Sequence, residues 1–434
     1  MEKIYATARA ALGSLAFVLV FCGLARAGGT SGDIPAGEPL TITRCIEIAL
    51  ERHPSLREAR SSIESQSARV GEAAASARPQ VRVSSSYGRS YSGSGPESGS
   101  INTDITLSQT LFDWDRTSLS VKGALLELEA RRYDESGSEM DVIRDVISAY
   151  FSVNRSERTL GIAMERLDNY EKRLRWAKDF YEVGTKARIE VTKAETDLAN
   201  AKLDLVSARG ALQKANASLA HAMGVTDIEP GRVPDILEVG FVDPGVGLDE
   251  AVETAVRNRE DYLAQSVRID ASEASLELAR KGMKPTVTGS AGYTLSGEND
   301  PVENRDLRLS VGLSIPVADG GQTAARTRQA EADLEGARAR GESLRQNIVM
   351  QVRTAHASLE EARESVSAAR EAARQALETL KLAQGRYAAG VGSSLEISDA
   401  VDGYASAQMS VATALYNENT AEAELIRAIG GSFQ

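Results

Sequence analysis

The three histidines, His53, His221 and His356, are scattered along the chain, and two of them fall inside long helical repeats. There is no HExxH zinc motif, no GxSxG nucleophile elbow and no Walker-type phosphate loop. Gly390-Val391-Gly392 is a two-glycine turn without a preceding strand, so it reads as a chain reversal and not as a nucleotide cradle. Of the two cysteines, Cys22 lies in an apolar leader and only Cys45 remains beyond it, which excludes an intrachain disulfide in the mature chain. The residues therefore point to no catalytic centre, no metal site and no cofactor. What remains is charge. Glu396 and Asp399 lie at i, i+3 just past the glycine turn and share one face of the helix that begins there. Acids are favoured in the first turn of any helix by its dipole, so this spacing alone assigns no role.

Lys3 and Arg9 open a leader whose stretch from Ala10 to Leu24 is largely apolar and which ends on Ala25-Arg26-Ala27. This is the pattern of an export signal over 1–27, and the run is short for a transmembrane anchor. Phe21 before Cys22 is too bulky for a lipoprotein cleavage site, so no lipid anchor is expected. Loss of the leader takes the net charge from −12 to −14, because it removes three bases and one acid. That acidity argues against nucleic acid, whose binding rests on phosphate neutralisation. Beyond residue 27 no stretch approaches the length of a transmembrane helix, so any spanning must be done by strands.

The elements themselves come twice. Shifting residues 40–224 by 206 positions lays them on 246–430: Pro79 on Pro285, Tyr87 on Tyr293, Asp113 on Asp319, Gly184 on Gly390 and Gly224 on Gly430. A fixed offset over that length means two copies of one structural unit. We expect a linker over 28–39, a first repeat over 40–230, a linker over 231–245 and a second repeat over 246–434.

Each repeat predicts a strand pair, about 81–91 with 101–112 and about 286–296 with 306–317. Ile101, Thr103, Ile105, Leu107, Gln109 and Leu111 share one face of the second strand; Leu307, Leu309, Val311, Leu313, Ile315 and Val317 do so in the fourth. Turn-rich segments 93–98 and 297–301 connect the pairs. Alternation over about ten residues is the signature of a membrane β-barrel, and also of a soluble hairpin with one face on a core. Four strands cannot close a barrel, so a barrel would need several chains. Tyr87, Tyr91, Phe112, Trp114 and Tyr293 are candidates for interfacial aromatic girdles, with plain packing the alternative.

Each repeat then predicts a coiled-coil hairpin, about 115–223 and about 320–429. Apolar and small residues recur every three and four positions from Val146 to Tyr181 and from Val352 to Tyr387. The returning arms repeat this through Val191, Ala194, Leu198 and Ala201, and through Ile397, Ala400, Tyr404 and Ala407. The outgoing arms lack proline and would span about 100 Å, the return arms about 54 Å, and the helices over 56–77 and 262–283 about 33 Å. The two shorter helices laid end to end nearly match the long one, which suggests the wall of a long cylinder.

Leu40–Leu56 with His53-Pro54, Ala77-Arg78-Pro79 with Met283-Lys284-Pro285, and the turns at Tyr181–Thr185 and Tyr387–Val391 together resemble the TolC-like outer membrane efflux protein family, over essentially the whole mature chain. The resemblance implies an α+β membrane protein that forms a homotrimer in outer-membrane lipid, with a twelve-stranded β-barrel and an α-helical periplasmic tunnel. It also implies a passive exit duct of a tripartite efflux pump or type I secretion system, docked on a periplasmic adaptor coupled to an inner-membrane transporter of RND or ABC type. By that resemblance Glu396 and Asp399 stand where the family closes its tunnel, and threefold symmetry would make them two stacked carboxylate rings. Their alternative is a solvated helix face. The first repeat has Glu190 and Lys193 there, and Gly392 stands where a basic residue would tether the closed tip. Gly184, Thr185, Gly390 and Ser393 are the adaptor-docking candidates, although both glycines also serve chain reversal. The rival reading is a soluble periplasmic coiled-coil scaffold.

Overall fold

The computed structural model describes residues 39–90, 98–228, 233–238, 247–298 and 304–431. The expected leader, Cys22, Tyr91 and most of the connecting loops and the inter-repeat linker lie outside those residues. The first repeat forms α1 (Ile42–Arg52), α2 (Pro54–Ala75), β1 (Gln80–Ser90), β2 (Ser98–Phe112), α3 (Arg116–Glu182) and α4 (Arg188–Ala222). The second forms α5 (Leu248–Asn258), α6 (Glu260–Arg280), β3 (Thr286–Gly297), β4 (Asn304–Ser314), α7 (Gln322–Ala388) and α8 (Ser394–Ala428).

Local chemistry sets the breaks. Pro54 at the first position of α2 separates it from α1, and His53 between them is extended at φ −60°, ψ 129°. The second repeat makes the same break at Arg259 without a proline. There the buried Arg259 guanidinium donates to Gln351 Oε1 at 2.6 Å and to Asp261 Oδ1 at 3.0 Å. Where each strand pair hands over to a long helix, an aspartate accepts from the threonine four residues on: Asp113 Oδ2 from Thr117 N at 2.8 Å, and Asp319 Oδ2 from Thr323 N at 2.7 Å. Burial opposes ionisation of Asp113, but the Thr117 hydroxyl and amide outweigh it and hold the carboxyl below its usual range. Between cap and helix the chain turns left-handed, at Trp114 and Asp115 in one repeat and at Gly320 and Gly321 in the other.

The four strands form one antiparallel sheet in the order β1-β2-β3-β4, with a bulge between Thr110 and Phe112. β4 ends at Ser314 and not at the expected 317, because Pro316 has no N–H to give to a ladder. One face of the sheet carries Val81, Val83, Leu107, Leu309, Val311 and Leu313, all exposed in the single chain. Tyr87 lies near the loop end of this face and Phe112 and Trp114 near the helix end. Tyr293, opposite Ile105 and Leu307, lies farther inside the apolar band.

The helices pack side by side in one layer. α3 runs along its centre, with α2 and α4 on one side and α6 and α8 on the other, and α7 packs outside α6 and α8. At 67 residues each, α3 and α7 are about 100 Å long. The short helices abut end to end across the glycines at their junctions. Gly224, at φ 68°, lies so close to the start of α2 that a Cβ on it would come within 2.8 Å of His53 Cα. Gly430, at φ 67°, stands in the same relation to Arg259. α4 meets α3 through Ala194, Ala201, Ala208 and Ala215, one per heptad and all buried. α8 is buried on two sides, because α3 and α7 flank it. Cys45 lies in the packing of α1, and burial pushes its thiol up to about 12. Folded protein is expected to resist alkylation by maleimide at pH 8 and to react once unfolded; rapid labelling in the native state would contradict this burial.

Candidate functional site

At the end of the helices away from the sheet, each hairpin reverses over a glycine in left-handed conformation, Gly184 at φ 77° and Gly390 at φ 75°. Gly184 N donates to Tyr181 O at 3.0 Å and Thr185 N to Phe180 O at 2.9 Å; Gly390 N and Val391 N repeat this on Tyr387 O and Arg386 O. A Cβ on Gly184 or Gly390 would meet nothing within 4 Å, so both turns present bare backbone to solvent. Thr185 Oγ1 is committed to Phe180 O at 2.9 Å, and Ser393 Oγ caps α8 by accepting from Glu396 N at 3.1 Å. Beside the glycines, Val183 and Val391 are each 71% exposed, and Ile189 and Leu395 stand exposed in the first turns of the return helices. These four apolar side chains were missed in the sequence. Their signal was bulky apolar residues inside turns that otherwise read as polar.

Glu396 and Asp399 both lie in the first two turns of α8, but in unlike settings. Glu396 Oε1 accepts from Arg386 Nε at 2.8 Å across the hairpin, a half-exposed pair. Asp399 is exposed, and among the described residues it has no ion-pair partner. Gly392 also has a structural reason. A Cβ there would lie 2.8 Å from Tyr387 N and 3.0 Å from Arg386 C, so the tight turn disfavours any side chain, a basic tether included. Gly392→Ala is expected to cost about 1–3 kcal/mol through this overlap and to speed tryptic cleavage at Arg386. Unchanged proteolysis would show that the turn relaxes freely.

One helical turn farther in, polar side chains tie three helices together, and this cluster was not found from sequence. Arg173 on α3 is fully buried; it donates to Asp197 on α4 and, at 2.6 Å, to Ser394 Oγ on α8. Ser398 Oγ donates to Asp197 Oδ2 at 3.3 Å. Arg166 bridges Asp204 on α4 and Asp402 on α8, and Tyr170 donates to Asp402 Oδ1 at 2.6 Å. Burial first, and then the Asp402 carboxylate, push the Tyr170 phenol above its usual range. Arg166, Tyr170 and Arg173 lie on one face of α3, so this cluster fastens α8 to the α3–α4 hairpin. Tyr387, packed on Trp176 and Phe180, has its hydroxyl buried without a partner nearby. No group of three or more histidines, cysteines and carboxylates among the described residues could hold a metal ion.

The profile of the outer membrane efflux protein family matches residues 45–225 and 251–431. The chain is 24% identical to outer membrane efflux protein BepC of Brucella suis biovar 1 over 350 residues, which are 79% of this chain and 75% of that one. Its fold matches the crystal structure of outer membrane protein VceC of Vibrio cholerae with a TM-score of 0.77 at 19% identity, covering 91% of this chain and 97% of that one. It also matches the open state of the MtrE outer membrane channel of Neisseria gonorrhoeae, with a TM-score of 0.76 at 21% identity over 90% of this chain and 89% of the other.

Proposed function

The chain belongs to the outer membrane efflux protein family, and from that premise we propose how its parts divide the work of an exit duct. It is an outer-membrane channel of a Gram-negative bacterium: three copies bring four strands each to a twelve-stranded barrel, and their helical layers form a periplasmic tunnel. The observation that carries this reading is the sheet, with an apolar face exposed over both repeats, a polar face behind it and unpaired edges at β1 and β4. Lipid does not tolerate such edges, and joining β4 of one copy to β1 of the next removes them. The soluble scaffold reading leaves that face without cover.

The tips, in our reading, meet a periplasmic adaptor through the bare backbone of Gly184 and Gly390 and the apolar Val183, Val391, Ile189 and Leu395. Thr185 and Ser393 hold the two turns in shape. An inner-membrane transporter of RND or ABC type then supplies energy and choice of cargo, and the duct itself catalyses nothing. Cell fractionation tests the duct: a trimer that leaves the outer membrane only with detergent is the expected result, and osmotic release of a soluble monomer would overturn it. A photocrosslinker at Val183 or Val391 should join the duct to its adaptor, whereas one at Thr379, well up the α7 helix, should not. Equal capture at both heights would remove the tips as the docking site.

A further inference from the structure

Pairing across the sheet sorts charges by sign. Ser84, Asp104, Thr294 and Asp306 stand opposite one another in one cross-strand row; Arg82, Thr106, Gly292 and Arg308 make the adjacent row. Residues directly opposite share a face. This face lies behind Val81, Val83, Leu107, Leu309 and Val311, so in the closed barrel it lines the lumen. The two rows are two residues apart along each strand, about 7 Å. Among the described strand residues, every acid of the polar face is in one row and every base in the other.

The side chains are placed for use. Thr294 Oγ1 donates to Asp104 Oδ1 at 2.7 Å and holds that carboxylate against the wall. Arg308 reaches back to Asp306 at 3.5 Å, with both side chains largely exposed. Arg82 has no ion-pair partner among the described residues. Between Thr106 and Arg308 the row passes over Gly292, where an added Cβ would meet nothing within 4 Å, so the wall is open beside the guanidinium.

We infer that the barrel lumen carries a belt of two tiers whose backbone rows lie about 7 Å apart, carboxylates toward the outside and guanidiniums toward the periplasm, that accommodates zwitterionic organic solutes. The inference rests on the exit-duct reading and names a cargo class for it. Threefold repetition makes six carboxylates from Asp104 and Asp306 and six guanidiniums from Arg82 and Arg308. Their sum is zero, so the belt sets no net barrier to either sign, unlike a ring of one charge. A solute with one charge is attracted at one tier and repelled at the next. A zwitterion of matching length is held at both, the guanidinium fork taking its carboxylate or phosphate. Strand tilt spreads each tier along the barrel axis and leaves the order of signs along every strand intact.

Purified trimers in planar bilayers test this with ω-aminohexanoate, hexanoate and hexylammonium added at equal concentration on the barrel side. The zwitterion should interrupt the current most. That preference should disappear in both Arg82→Ser/Arg308→Ser and Asp104→Asn/Asp306→Asn trimers, and survive in Arg82→Lys/Arg308→Lys, which keeps the charge and controls for folding. On the same trimers, block by inorganic triphosphate should weaken about tenfold only when the arginines are lost, and block by spermine only when the aspartates are lost. Equal block by the three hexyl probes in the unaltered protein would overturn the inference. So would a preference that outlasts loss of either tier. Trimers that insert and pass no current would overturn the duct reading instead.

Discussion

Arg173→Met is expected to detach the start of α8 from the α3–α4 hairpin and to raise the single-channel conductance of the trimer. Methionine nearly matches the arginine stem in volume, so the substitution isolates the loss of the charge. It leaves Asp197, whose side chain is only 21% exposed, without its main partner, and Ser394 without the guanidinium that its hydroxyl faces. Removing one member of a buried pair costs about 3–5 kcal/mol, most of it for the charge left behind. Asp197 is not wholly buried and can recruit water, which points to the lower end of that range. The loss falls on the joint between helices, because Arg173 bonds both Asp197 on α4 and Ser394 on α8 from a fully buried position. Two readouts separate opening from general weakening. Spin labels on α4 and α8 should move apart near the tip and stay in place near Ala215. Asp197→Asn, which keeps the hydrogen bonds in part, should give an intermediate conductance. If Arg173→Met lowers thermal stability with conductance and label distances unchanged, the cluster is packing alone and has no part in gating.

The frame of this protein was legible in its sequence because it rests on periods. A spacing of two separates the faces of β2 and β4, and a spacing near three and a half builds the seam from Val146 to Tyr181, whatever lies beyond them. The offset of 206 carried still more. It placed Asp113 and Asp319 at the same handover from strand to helix, and Gly224 and Gly430 at the same junction between short helices. What stayed hidden joins segments that no period relates. Arg173 meets Asp197 and Ser394 across 24 and 221 positions, and in the sequence each is one polar residue in a helix full of them. The charge tiers depend on β2 pairing with β3, which joins the two repeats and sets Asp104 beside Thr294. Gly392 hid its structural role for another reason. Seen beside Gly390 it marks a departure from the family, while the structure shows backbone so close that an added Cβ would overlap it.

Asp399→Asn is expected to weaken block by multivalent cations at the periplasmic end more than Glu396→Gln does, although the two acids read alike in the sequence. Glu396 already shares its charge with Arg386, 2.8 Å away, so a passing cation meets a neutralised pair. Asp399 has no such partner among the described residues, and we propose that in a threefold constriction it presents three uncompensated carboxylates. Salt tightens the contrast. Exposed charges are screened beyond about 8 Å at physiological ionic strength, so Asp399 acts only where the tunnel is narrow. Its effect should therefore fade in Arg173→Met trimers if those have opened. Arg386→Ser carries the argument one step further. It frees Glu396 without touching the acid itself, and should strengthen cation block in a way that Glu396→Gln then abolishes. If Arg386→Ser leaves block unchanged while Asp399→Asn removes it, Asp399 alone forms the ring. If neither substitution changes block, the first turns of α8 do not face the pore, and both acids are ordinary residues of a solvated helix start.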